Sequence, residues 1–207
     1  MKLLITGDLV VSSAYDASTQ FGSEIVDFFN GANINMINLE APVTNSESKI
    51  LKTGPNLKSH EESTLQALNK LKISVASLAN NHILDYGAQG VSDTIQFCQK
   101  HGIQTVGAGD HLEEASRTLF LDTEIGIIAI LNFAENEWAS ATATSAGAHP
   151  MDIIDNSRKI QEAQDKADYV IVIVHGGHEY YNLPSPRMQK QYRFYADQGA
   201  DLVVGHH

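Results

Sequence analysis

Residues 169–178 read YVIVIVHGGH: six apolar, β-favouring residues in succession, closed by a histidine, two glycines and a second histidine. This is the strongest strand signal in the chain, Tyr169 to Val174, and a helical pattern from Asp155 to Ala167 leads into it. The same alternation continues in both directions. Upstream, apolar runs at Leu3–Thr6, Ile34–Leu39, Ile73–Ala79 and Gln104–Val106 alternate with helical patterns at Ser23–Asn30, Glu61–Lys72 and Ala88–His101. Ser23 reads as an N-cap. The runs Leu119–Leu121 and Ile125–Leu131, split by Asp122, Thr123 and Glu124, predict a hairpin. Downstream, a helix over Arg187–Gln198 precedes Leu202–Val204. Such a series predicts an α/β protein of crossover-connected, mostly parallel strands. The stretch 44–60 reads as a long loop, and ASATATSAGA at 139–148, small and polar, as a mobile surface loop. Neither a repeat nor a linker divides the chain, so residues 1–207 are expected to form a single domain.

Composition narrows the function classes. A hydrophobic content of 43% over 207 residues supplies a sizeable core. The formal net charge of −11, spread along the chain, argues against nucleic acid or an anionic membrane as partner. A lone cysteine, Cys98, forms no internal disulfide and falls on the expected buried side of a helix. The opening MKLLITGD is too short for an export signal or a membrane span, so the chain as written is expected to be soluble, cytoplasmic and not inserted in a membrane. It ends at DLVVGHH, directly after an apolar run, which reads as a fragment of a longer chain.

Polar residues with ligand chemistry follow the strands in a regular way. Asp8 follows KLLITG, Glu40 follows INMINL, and Asn80, Asn81 and His82 follow ISVASLA. His175 follows YVIVIV, with His178 and Glu179 close behind, and His206 and His207 follow DLVVG. Parallel strands share one carboxyl edge, so five loops are expected to deliver these side chains to one crevice. Mixed oxygen and imidazole donors suit Mn²⁺, Fe²⁺ or Zn²⁺ better than Ca²⁺. Such ions polarise a phosphoryl oxygen and acidify a bound water, which makes hydrolysis the natural reaction.

Duller readings exist for each residue: Asp8 as a turn former, Glu40 as a loop acid, Asn81 and His82 as caps of the next helix. His178 reads as a supporting or solvent residue. His60, His101, His111 and His149 lie away from strand ends and read as ordinary surface histidines. Only the coincidence of positions favours a site. A nucleophile elbow, a Walker loop and a dinucleotide fingerprint are all missing. A carboxylate pair of Asp8 with Glu40 remains open, but leaves the histidine-bearing strand ends without a task.

The pieces ITGDLV, INLEAPVT, SLANNHILDYGAQG, GAG at 107–109, HGGHEYY and QGADLVVGHH together resemble the bacterial CapA family, also called PgsA, of capsule and poly-γ-glutamate biosynthesis. That family is similar to the calcineurin-like metallophosphoesterases. The resemblance implies a layered α/β sandwich, two mostly parallel or mixed sheets face to face between helices, rather than one open sheet. It implies two divalent ions held by Asp8, Glu40, Asn81, His175 and His206, with His207 as a further donor. His82 would steady or protonate the leaving oxygen, and Glu179 would complete an H-x-G-x-E motif. The phosphoesterase D-x-H is here Asp8-Leu9-Val10, so one expected histidine ligand is absent, and the terminal motif stops at His207. The implied substrate is a phosphorylated small molecule or polymer-related compound, with other capsule synthase subunits as partners. The competing expectation is a non-catalytic assembly subunit that retains the hydrolase fold.

Overall fold

A computed structural model describes residues 1–14, 21–178 and 180–207. Two four-stranded sheets form its centre. The first contains β1 (Leu3–Leu9), β2 (Ile34–Leu39), β3 (Val75–Ser77) and β4 (Gln104–Val106), parallel throughout and in sequence order. Between them run α1 (Ser23–Asn30), α2 (Glu61–Lys70) and α3 (Gly87–Lys100). A short β5 (Ala108–Gly109) and α4 (Leu112–Ala115) lead to β6 (Leu119–Thr123) and β7 (Gly126–Ala134), the expected hairpin. Next come β8 (Gly147–Ala148), α5 (Ile153–Gln164), β9 (Tyr169–His175), α6 (Pro186–Asp197) and β10 (Leu202–His206). The second sheet has the order β10-β9-β7-β6, parallel except at β6.

Side-chain alternation shows why there are two sheets. On β9, Val170, Val172 and Val174 pack with Ile160 and Ala163 of α5 and Tyr195 of α6. The intervening Ile171 and Ile173 pack with Ile128 and Ile130 of β7 and with Met36, Val75 and Val106 of the first sheet. The first sheet turns its other face, including Ile37, Leu39 and Ala76, to Phe29, Leu68 and Phe97 of α1, α2 and α3. A strand apolar on both faces must be covered twice, and helix, sheet, sheet, helix is the layering that does so. The single open sheet suggested by strand order alone is therefore replaced by the sandwich.

Local signals set most boundaries. Asp152 caps α5 by accepting from Ile154 N and Asp155 N at 2.9 and 3.0 Å. Ser185 caps α6, with Pro186 in the first turn. Gly22, not Ser23, occupies the cap of α1, and no side chain serves it. His60 caps α2 through Nδ1, which accepts from Ser63 N at 3.3 Å, so this histidine is structural rather than an idle surface group.

The stretch 139–148 departs from expectation. Its alanines 139, 141, 146 and 148 are buried, β8 pairs with β5, and Ala139, Ala146 and Ala148 join the core under the first sheet. The small side chains permit close backbone approach: a Cβ on Gly147 would stand 2.2 Å from Ala139 O. His149, at the end of this stretch, is buried edge-on to Phe133 with ring centroids 4.9 Å apart, not on the surface. Burial pushes it down to about 4, aided by the charge of Lys159. Cys98 is buried as expected, and burial pushes its thiol up to about 12, which makes it inert. Among the described residues no helix is long and apolar enough to cross a membrane.

Candidate metal centre

The site lies where the carboxyl ends of the two sheets meet. On β9 the parity of Ile171 and Ile173 carries His175 to the face between the sheets, and on β10 His206 pairs in register with His175. On β1 a bulge is decisive. Ile5 pairs with Met36 and Asp8 with Asn38, so β1 spends three residues against two. The extra residue turns Asp8 to the same inner face as Ile5 and Met36; without it Asp8 would face the helices.

Asp8 Oδ1 stands 2.9 Å from His206 Nδ1 and 3.8 Å from His175 Nδ1, and the two imidazole nitrogens are 3.0 Å apart. Donors each about 2.1 Å from one cation are separated by roughly 3 to 3.5 Å, so the cluster has the dimensions of a ligand set. The proton inventory points the same way. His206 Nδ1 faces both a carboxylate oxygen and a second ring nitrogen, yet has at most one proton to offer. A cation satisfies all three atoms together.

On the opposite edge of His175, Nε2 lies 3.0 Å from Asn81 Oδ1, 3.1 Å from His207 Nδ1 and 3.8 Å from Glu40 Oε1. The donors thus form two groups, one on each side of a single buried imidazole. Burial, and then the charge of His206, pushes His175 down to about 3 despite Asp8 nearby, so the ring is neutral and its lone pair available. Burial works to raise Asp8, but hydrogen bonds from His206 and Asn38 and the nearby imidazole charges outweigh it, holding the carboxyl below its ordinary value.

Three residues support the candidates, and of these the sequence reading singled out only Asn80. Asn38, wholly buried, donates from Nδ2 to Asp8 Oδ1 at 2.7 Å. Asn80 Nδ2 donates to Asn38 Oδ1 and to Leu39 O, both at 3.1 Å, and Asn80 Oδ1 accepts from His82 N at 3.1 Å. The Asn-Asn-His turn therefore divides its labour: Asn80 enters the core, Asn81 meets His175, and His82 stands beside them. Asp85 is the third. It is fully buried, its Oδ2 2.7 Å from His82 Nδ1, and its Oδ1 pairs with the buried Lys52 from the 44–60 loop. The available signal was polar residues inside apolar strands: Asn35 and Asn38 break the run INMINL. His178 is exposed, and Glu179 lies outside the described residues.

A cavity of 370 Å³ adjoins the cluster, walled by His206 and His207 on one side and by Tyr181, Leu183 and Met188 among others on the other. A larger one of 630 Å³, near His60 and Lys100, includes none of the candidate ligands.

The two facing sheets between helices, with this rim, define a layered α/β sandwich. It is similar to a Staphylococcus aureus structure described as "Putative 5'-Nucleotidase", at a TM-score of 0.58 and 12% identity over 98% of this chain and 44% of that one. A hypothetical protein from Thermus thermophilus matches at a TM-score of 0.60 and 15% identity, over 100% and 68%. The chain belongs to the family described as bacterial capsule synthesis protein PGA_cap, whose model matches residues 2–207. Among its relatives are the capsule biosynthesis protein CapA of Bacillus anthracis, 35% identical over 178 residues, and the PGA biosynthesis protein CapA of Bacillus subtilis, 35% identical over 174. Each match covers 82% of this chain but only 43% and 46% of those proteins, so the chain spans less than half their length.

Proposed function

We propose that this member of the capsule synthesis family is a metal-dependent phosphoester hydrolase serving capsule or poly-γ-glutamate production. The observation that carries the reading is the meeting of Asp8, His175 and His206, whose ligand atoms lie within 4.8 Å of one another. Asp8 and His206 would hold one divalent ion; Glu40, Asn81 and His207 would hold a second, with His175 between the two groups. The donor chemistry fits Mn²⁺, Fe²⁺ or Zn²⁺, which when bound polarise a phosphoryl oxygen and lower the pKa of a water. In the reaction, the water oxygen bonds to phosphorus, the bond from phosphorus to the alcohol oxygen breaks, and that oxygen takes up a proton. His82 would supply the proton. With Asp85 Oδ2 2.7 Å from its Nδ1, the imidazolium form of His82 would pass its Nε2 proton to the leaving oxygen. The neutral state of His175 keeps a donor ready at neutral pH without prior loss of a proton.

Purified protein loaded with Mn²⁺ is expected to cleave phosphomonoesters or phosphodiesters. Asp8→Asn and His175→Ala are expected to lower kcat/KM by more than about a hundredfold and to reduce bound metal measured by mass spectrometry. The absence of a donor at Val10 favours the second reading, an assembly subunit that keeps the fold without turnover. Stoichiometric metal with no turnover, in this chain and in a full-length relative alike, supports that reading and removes the hydrolase.

A further inference from the structure

We infer that the 370 Å³ cavity beside the ligand cluster binds the leaving group of the substrate, and that this group is a flat, uncharged, largely apolar one such as an aryl ring, rather than a stretch of polyanion. The inference rests on the phosphoesterase reading and adds a substrate class to it. The cavity shares His206 and His207 with the proposed metal site, so a phosphoryl group held there must direct its ester substituent either into the cavity or into solvent. The other wall is apolar and aromatic: Tyr181 and Leu183 from the loop after β9, Met188 and Tyr192 from α6. Among the described lining residues there is no lysine, arginine, aspartate or glutamate.

Two physical arguments follow from that lining. A carboxylate-rich polymer needs cations along its path, and away from the proposed metal site the lining offers neither lysine nor arginine. Large apolar groups of the lining, by contrast, stand in water: Tyr181 is 74% exposed and Leu183 70%. Apolar surface gathered next to a reactive centre is stabilised when a ligand covers it. Met188 adds a polarisable sulfur suited to a ring edge or face. The amides of Asn182 and Gln189 and the hydroxyls of Tyr181 and Tyr192 are polar groups of that wall able to hydrogen-bond at the edge of a planar group. A volume of 370 Å³ falls within the range of small-molecule sites, roughly 300 to 1,000 Å³.

The test separates binding from turnover. In the Mn²⁺-loaded protein, calorimetric titration compares 1-naphthylphosphonate with methylphosphonate, both of which carry a P–C bond that ester hydrolysis leaves intact. The naphthyl compound is expected to bind at least about tenfold more tightly. Leu183→Asp and Tyr181→Ala are expected to remove most of that preference while methylphosphonate binding stays unchanged. Equal affinities in the unaltered protein, failure of both compounds to bind, or a preference untouched by both substitutions overturns the inference. A naphthyl preference in a protein that cleaves no ester supports the binding site while the hydrolase reading falls.

Discussion

Asn38 is the residue on which the geometry of Asp8 depends. Its amide donates to Asp8 Oδ1 and is itself held by Asn80, so Asn38→Leu removes a hydrogen bond from a carboxylate and leaves the buried Asn80 amide without one of its acceptors. The expected cost is about 1–3 kcal/mol of stability and about a 10- to 100-fold loss of metal affinity, read by denaturant titration and by competition with a chelator. His149 supplies a pH signature that is independent of the site. Its folded value of about 4 lies below the ordinary 6.5, so the unfolded chain takes up the proton first as pH falls. The stability it contributes is complete above about pH 6.5 and is lost towards pH 4, amounting to about 3 kcal/mol. Urea unfolding across that window is expected to show a shallower pH slope in His149→Gln than in the parent protein.

At the scale of elements, the site depends on how strand ends meet across the seam. Asn132 of β7 accepts from Ala79 N at 2.7 Å and donates to Ile173 O at 3.3 Å, tying the loop after β3 to the second sheet. Gly107 makes that contact possible: at φ +96 its missing Cβ would stand 2.2 Å from Asn132 Oδ1 and 2.8 Å from Ala79 Cβ. Gly107→Ala is expected to destabilise by at least about 2 kcal/mol, seen as a lowered urea midpoint, and to disturb Asn81 and His82 two and three residues beyond Ala79. Strands and helices were legible in the sequence because their periods are local. The bulge in β1 was not: Leu3 to Thr6 reads as a strand that ends before Asp8, whereas pairing with β2 extends it to Leu9 and turns the carboxylate inward. The burial of 139–148 was hidden for a related reason, since a run of small residues suits a mobile loop and a close-packed one equally well until its neighbours are known.

For the molecule as a whole, a cation that binds only the folded state would join the two sheets through Asp8 of one and His175 and His206 of the other. A hundredfold excess over Kd adds about 2.7 kcal/mol. For a chain of this size that raises Tm by roughly 5 to 10 °C. Thermal scans with and without Mn²⁺ are expected to show this rise in the parent protein and none in His175→Ala. An unchanged Tm in saturating Mn²⁺, Zn²⁺ and Fe²⁺ alike would remove the metal centre.

The sequence by itself determined the order of elements, the parallel crossovers, and which polar residues stand at the strand ends, because hydrophobic period and turn chemistry act over a few residues. Its motifs also carried the family. Tertiary structure alone decided that the strands divide into two facing sheets, that Asp8, His175 and His206 meet at their seam, that Asn38 supports Asp8, and that Asp85 joins His82 to Lys52. Those facts depend on which faces are covered and on the register between distant strands, and neither quantity is encoded within any single segment.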